Sequence, residues 1–271
     1  MIKKRKTVGL ALGSGGVKGF AHIGVLETLL KNNIPIDYIA GSSIGAWVGA
    51  NYALFQDIDT LKEMTVGNRK EKFACLWDLG ITGGLIRGDK VKKLLFDWLG
   101  ESCFEDTHIP FKAVATDLIT GEPHIFSTGQ LTEAVRASMA IPTMFKPVEF
   151  EKKSLVDGGL CYPLPTKIVR DMGADIVIAV NLDNYQKNSR FKKEDVASIV
   201  KISSRSFDIM RHYLAQDACK EADIVIEPKT KDNDATIWKK YFLNGQGEHI
   251  VEAGKKEAEN VIKKIKKLIA S

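Results

Sequence analysis

Ile36-Asp37-Tyr38-Ile39-Ala40-Gly41-Ser42-Ser43-Ile44-Gly45 runs an apolar, strand-like pattern into a Gly-x-Ser-x-Gly pentapeptide, and a helix-like pattern follows at once. In that context the pentapeptide reads as a nucleophile elbow, a tight strand-to-helix turn that exposes a serine hydroxyl. Such a hydroxyl is a poor nucleophile until a neighbouring base takes its proton. Gly41 and Gly45 keep side chains out of the turn, so the pattern selects Ser43 and leaves Ser42 as a flank.

Working outward, Thr7 to Leu12 reads as a buried parallel strand that enters Gly13-Ser14-Gly15-Gly16-Val17-Lys18-Gly19, followed by an apolar helical stretch from Phe20 to Leu30. A glycine turn at a helix N-terminus leaves backbone N–H groups unpaired, and these stabilise negative charge. An oxyanion hole requires this arrangement. The nucleotide-binding alternatives fail on their own terms. In Gly-x-Gly-x-x-Gly the third glycine would fall on Lys18, and Lys18 lacks the following Ser or Thr of a phosphate-binding loop. No acidic residue closes the second strand where a ribose would be held. Downstream, Leu155-Val156-Asp157-Gly158-Gly159 is a strand end followed by an acid and two glycines, which makes Asp157 a candidate base; the plain alternative is a strand-to-turn Asp.

These three motifs together resemble those of the patatin-like phospholipases, as do Gly24-Val25-Leu26 and the segment Ala137-Ser138-Met139-Ala140-Ile141-Pro142. The resemblance spans roughly residues 7 to 182. It implies a serine acyl hydrolase of lipid carboxylic esters, of phospholipase A or lysophospholipase type. In that reading Ser43 attacks the carbonyl and Asp157 is the base of a Ser-Asp dyad without histidine. It places the oxyanion hole at Gly15 and Gly16 with Lys18 as the accompanying basic residue, and Gly158 and Gly159 complete the Asp-Gly-Gly motif. It implies no cofactor and no metal. One departure is visible, since Ser14 stands where the family often has the first of three glycines. Two alternatives stay open: a small-ester or thioester hydrolase with the same dyad, and a non-catalytic lipid-binding regulatory protein.

A classical triad would need a late histidine, and the candidates are His212 and His249. Neither follows a strand end, so both read as surface residues, while His22 reads as a packed or capping residue one turn into the first helix. Cys75, Cys103, Cys161 and Cys219 lack metal-like spacing, which points to reduced thiols. The basic start, Met1 to Lys6, is followed by too short and glycine-rich an apolar stretch for a signal peptide. No run reaches the roughly 20 apolar residues that cross a bilayer. The expectation is a cytoplasmic protein, peripheral at the membrane at most.

Strands and helices alternate along the chain, which demands an α/β fold: three layers, with a mostly parallel central sheet and helices on both faces. Further expected helices are Ile44–Leu54, a polar region from Asp57 to Trp77, Asp89–Leu99 and Leu131–Met139. Further strands are Phe111–Leu118, His124–Phe126, Asp175–Leu182 and Asp223–Glu227. With 271 residues and 44% hydrophobic content, residues 1–271 read as one domain, its motifs in about 7–182 and a helical portion in about 196–271. Asp183 to Asp195 is polar and reads as the most flexible stretch, and Trp77 to Ile86 reads as part of an acyl channel or its lid. The net charge is +5, with lysines opposite an apolar stripe in Val261–Ile269. The plain reading is a helix covering the body; the sharper one is contact with an anionic membrane surface. No nucleic-acid motif is present, and the oligomeric state stays open.

Overall fold

The computed structural model describes residues 5–67, 69–75, 78, 86–183, 193–229, 240–242, 244–245 and 247–271. Alternation along the strands sorts the interior into two cores. In β1 (Val8–Leu12), Val8, Leu10 and Leu12 face the larger core while Ala11 faces the smaller; in β7 (Ile176–Val180), Ile176, Ile178 and Val180 divide from Val177 and Ala179 in the same way. This period of two with both faces buried is the mark of a sheet covered on each side.

The remaining strands are β2 (Tyr38–Ser42), β3 (Phe111–Asp117), β4 (Pro123–Phe126), β5 (Val148–Phe150), β6 (Lys153–Asp157) and β8 (Ile224–Ile226). Hydrogen-bonded pairing runs β5 to β6, β6 to β3, β3 to β2, β2 to β1, β1 to β7 and β7 to β8, with β4 also beside β3. The pairs β3–β2, β2–β1, β1–β7 and β7–β8 are parallel; β4, β5 and β6 add antiparallel pairings at one side. The fold is thus the expected mostly parallel α/β architecture.

The larger core is covered by α1 (Phe20–Lys31), α2 (Ile44–Phe55), α3 (Ile58–Thr65), α5 (Asp89–Leu99), α6 (Leu131–Ser138) and α9 (Glu248–Ala270). The smaller is covered by α7 (Thr166–Asp171) and the C-terminal part of α8 (Ile199–Cys219). The polar region expected from Asp57 to Trp77 is two helices, α3 and α4 (Arg69–Cys75), separated around Gly67; Trp77 lies outside the described residues. Asp57 caps α3 by accepting from the N–H groups of Asp59 and Thr60.

The basic terminal helix α9 packs its stripe, including Ile250, Ala258 and Ile265, into the core against α1. The two helices cross where glycines remove the Cβ on both sides: a Cβ at Gly24 would lie 1.9 Å from the Val251 carbonyl oxygen, and one at Gly254 2.0 Å from that of Ala21. Lys264 and Lys266 reach back to the Asp223 carbonyl and the Asn32 side chain. Among the described residues, no helix is long and apolar enough to cross a membrane.

Candidate active site

β2 is in register with β3 as far as Ser42 opposite Val114, and β6 is in register with β3 from the other direction as far as Asp157 opposite Ala115. β4 occupies the opposite edge of β3 at both positions. The ends of β2 and β6 therefore abut along one edge of β3, and Ser43 and Asp157 leave the sheet at the junction. Ser43 Oγ donates to Asp157 Oδ2 at 2.5 Å, with both residues buried.

The turn is held under strain. Ser43 has φ 55° and ψ −123°, a conformation that costs a side-chain-bearing residue roughly 1–3 kcal/mol. Its N–H donates to Ser138 Oγ at 2.8 Å, which ties the elbow to the end of α6. The flanking glycines are sterically required: a Cβ at Gly41 would lie 2.3 Å from the Gly45 carbonyl oxygen, and one at Gly45 2.1 Å from that of Leu12. Gly158 is equally confined, its Cβ position lying 2.2 Å from the Val114 carbonyl oxygen.

Asp157 accepts from the Gly159 N–H through Oδ1 at 2.7 Å, and its carbonyl accepts from Thr116 Oγ1 at 3.0 Å. Burial lifts its pKa to about 6, against the hydrogen bonds from Ser43 and Gly159 and the positive charge of Arg211. The carboxyl is thereby poised near neutrality, where a general base is most effective.

The glycine loop stands over the same junction. Gly13 N–H donates to the Val180 carbonyl and Ser14 N–H to that of Pro163, while Gly15 and Gly16 take φ of 156° and 54°. Among the described residues, no acceptor meets the N–H of Gly15 or Gly16. Lys18 is partly buried in the following turn of helix, its N–H on the Gly15 carbonyl. Ser14 does not have a positive φ, so no glycine is needed there. Its hydroxyl donates to Asp183 Oδ2 at 2.8 Å. His22 is fully buried and meets the Gly13 carbonyl at 2.8 Å through Nε2. A carbonyl only accepts, so Nε2 carries the proton, and burial lowers the pKa of the ring to about 4. His22 is thus a neutral packed residue that anchors the loop.

Asp183, at the start of the stretch expected to be flexible, is instead a buried structural acid: Arg211 Nη2 donates to its Oδ1 at 2.8 Å, and its N–H donates to Asn181 Oδ1. Residues 184–192 of that stretch lie outside the described residues. His212 Nδ1 lies 2.8 Å from the Asp183 carbonyl oxygen, and His249 is exposed in the first turn of α9. The four cysteines are free, and Cys161 donates to Thr116 Oγ1, one hydrogen bond removed from Asp157.

A cavity of about 150 Å³ opens beside Ser43 and Gly16 and is walled mainly by apolar side chains, among them Ile44, Trp47, Leu95 and Trp98. Lys72 is partly buried in its wall, donating to the carbonyls of Thr65 and Gly67 and to Tyr241 Oη, and desolvation lowers its pKa to about 7. Of the expected channel stretch from Trp77 to Ile86, residues 77 and 79–85 lie outside the described residues and Ile86 is buried.

A family model described as Patatin-like phospholipase matches residues 10–170. Among curated proteins, an uncharacterized NTE family protein of Mycobacterium tuberculosis is 39% identical over 180 residues, 66% of this chain and 50% of its own length. The lysophospholipase nte1 of Aspergillus fumigatus is 32% identical over 193 residues, 68% of this chain and 12% of its own. The chain thus spans half or less of the length of these relatives. Among solved structures, VipD from Legionella pneumophila superposes with a TM-score of 0.61 at 14% identity, covering 96% of this chain and 67% of that one, a likeness of fold.

Proposed function

The chain belongs to the patatin-like phospholipase family, and from that premise we propose that it is a serine hydrolase of lipid carboxylic esters, of phospholipase A or lysophospholipase type. The observation that carries the reading is the 2.5 Å hydrogen bond from Ser43 to a buried Asp157, at a strained turn beside an apolar cavity. The apolar wall favours an acyl chain over a small polar ester.

In this mechanism Asp157 Oδ2 takes the Ser43 proton as Oγ adds to the ester carbonyl. The developing oxyanion is received by the Gly15 and Gly16 amides, which have no acceptor among the described residues. Collapse expels the alcohol with the proton from Asp157 and leaves an acyl-Ser43 ester. Water, deprotonated by the same carboxylate, then adds to that ester and releases the fatty acid. Lys18, in the basic position after the loop, adds positive potential near the developing charge.

The test is a hydrolysis panel of diacyl phospholipids, lysophospholipids and short-chain esters, with fluorophosphonate labelling, on wild type beside Ser43→Ala. Loss of turnover and labelling together in Ser43→Ala is the expected result; equal labelling of the two proteins would sink the assignment.

A further inference from the structure

Amides that receive an oxyanion cannot be fixed by hydrogen bonds of their own, because an acceptor on them would compete with the developing charge. Their direction has to be set by what surrounds them. In the glycine loop the N–H groups of Gly13 and Ser14 are bound to the Val180 and Pro163 carbonyls, and Gly15 and Gly16 follow with no side chain to anchor them. What remains to aim the two amides is the Ser14 side chain and the packing behind Gly15.

Leu182 and Asp183, just past the end of β7, supply both. Leu182 lies against the loop, since a Cβ at Gly15 would be 2.9 Å from the Leu182 Cβ. Asp183 Oδ2 accepts from the fully buried Ser14 hydroxyl at 2.8 Å. Asp183 is itself held from α8, with Arg211 on Oδ1 and His212 beside its carbonyl. These contacts are what α8 turns toward the body, while its Ile199, Met210 and Tyr213 stay exposed. Ser14 also touches the turn that carries the base: its Oγ and Cβ lie 3.0 and 3.1 Å from where a Cβ of Gly159 would be, and the Gly159 N–H holds Asp157 Oδ1. A buried carboxylate needs a donor on each oxygen. Arg211 serves one and Ser14 the other, so a glycine in place of Ser14 would leave Oδ2 bare. Serine at this position and the acid after β7 therefore form a matched pair, which gives the departure from three glycines a physical reason.

We propose that Asp183 is a positioning residue for ester hydrolysis: through Ser14 it fixes the direction in which the Gly15 and Gly16 amides meet the oxyanion. The inference rests on the serine hydrolase reading. Its effect belongs to the transition state, because the amides remain present and only their aim is lost.

The test is steady-state kinetics on a soluble short-chain ester, with the rate of fluorophosphonate labelling, for wild type, Ser14→Ala, Asp183→Ala and the double variant. Ser14→Ala should lose about tenfold in kcat, less than the ~10²–10³ of a deleted oxyanion donor, with KM within about twofold of wild type. Its pH midpoint for kcat should stay at the wild-type value, because Asp157 keeps its bonds to Ser43 and Gly159. Asp183→Ala should lose a similar factor, and the double variant no more than either single one, since both break the same link. Wild-type kcat in Ser14→Ala overturns the proposal, as does a loss carried by KM alone. Single losses that multiply to about a hundredfold in the double variant overturn it too, since the two residues would then act separately. A pH midpoint moved by about one unit or more in Ser14→Ala would place the hydroxyl on the side of the base and equally overturn it. Ser14→Ala removes only a hydroxyl and decides the matter even where Asp183→Ala does not fold. A wild type that neither labels nor turns over ester refutes the hydrolase reading and this inference with it, an outcome distinct from an active wild type matched by Ser14→Ala.

Discussion

Replacing Asp157 by Asn should make the protein more stable and nearly inactive, and the gain should depend on pH in a fixed direction. Burial raises the carboxyl pKa from an ordinary 3.8 to about 6. A group whose folded pKa is raised contributes stability below its unfolded pKa and loses it as pH climbs through the folded value. At 1.36 kcal/mol per pKa unit, ionised Asp157 therefore costs the native state ~3 kcal/mol above neutrality. Asn has nearly the same shape, can accept from the Gly159 N–H and can donate to Ser43 Oγ, and it carries no charge. Urea unfolding of both proteins should give a stability gap favouring Asp157→Asn that widens by ~1 kcal/mol between about pH 5 and pH 8, because the wild-type loss is still incomplete at the lower pH. Wild-type kcat should rise with pH through about 6, while Asp157→Asn loses roughly 10²-fold or more, the order expected for a general base. A gap that is constant, or that closes as pH rises, would refute the reasoning, since the ionised carboxylate would then be stabilising.

Among the described residues no partner meets the buried Ser42 Oγ, so Ser42→Ala should keep its labelling and turnover and match or exceed wild type in urea midpoint; a loss of more than about 1 kcal/mol would mean that the hydroxyl is satisfied. Gly16→Val places a β-branched residue at φ 54° and should depress kcat more than it raises KM, as expected for a transition-state contact; wild-type kinetics in a folded Gly16→Val protein would make the loop structural only. His212→Ala and His249→Ala should each retain turnover within about tenfold, below the 10²-fold order of a lost general base, and a loss matching that of Asp157→Asn in either variant would replace the dyad with a triad.

Much of this arrangement was legible in the residues because its constraints are local. Gly41 and Gly45 are required by contacts within the turn itself or with the adjacent strand, and β1, β2 and β3 are long enough for apolar runs to mark them. β8, with three residues, was marked by its unbroken Ile-Val-Ile run, whereas β5, Val-Glu-Phe, and α7, with six residues, carry neither an apolar run nor a full period and went unread. Ser138 lay inside a segment already matched to the family, yet its bond to the Ser43 N–H depends on where α6 ends in space. Asp183 was read as the start of a polar loop; the available signal was its position just past the end of a buried parallel strand, where α/β sites gather. The orientation of α8 was not readable at all, since an amphipathic pattern shows that two faces differ and not which of them the body takes.

The abutment of β2 and β6 on one edge of β3 bears on how far this protein can drift or be redesigned. The polypeptide between Ser43 and Asp157 can gain or lose residues in its turns without separating the two side chains, because their spacing is set by neighbouring positions on β3, Val114 and Ala115. A single residue inserted within β6 is a different matter, since it exchanges the two faces of the strand and turns the residue at the Asp157 position away from Ser43. Libraries that diversify substrate choice can therefore vary the length of the connecting turns in this interval, provided that insertions and deletions are kept out of β3 and the five residues of β6.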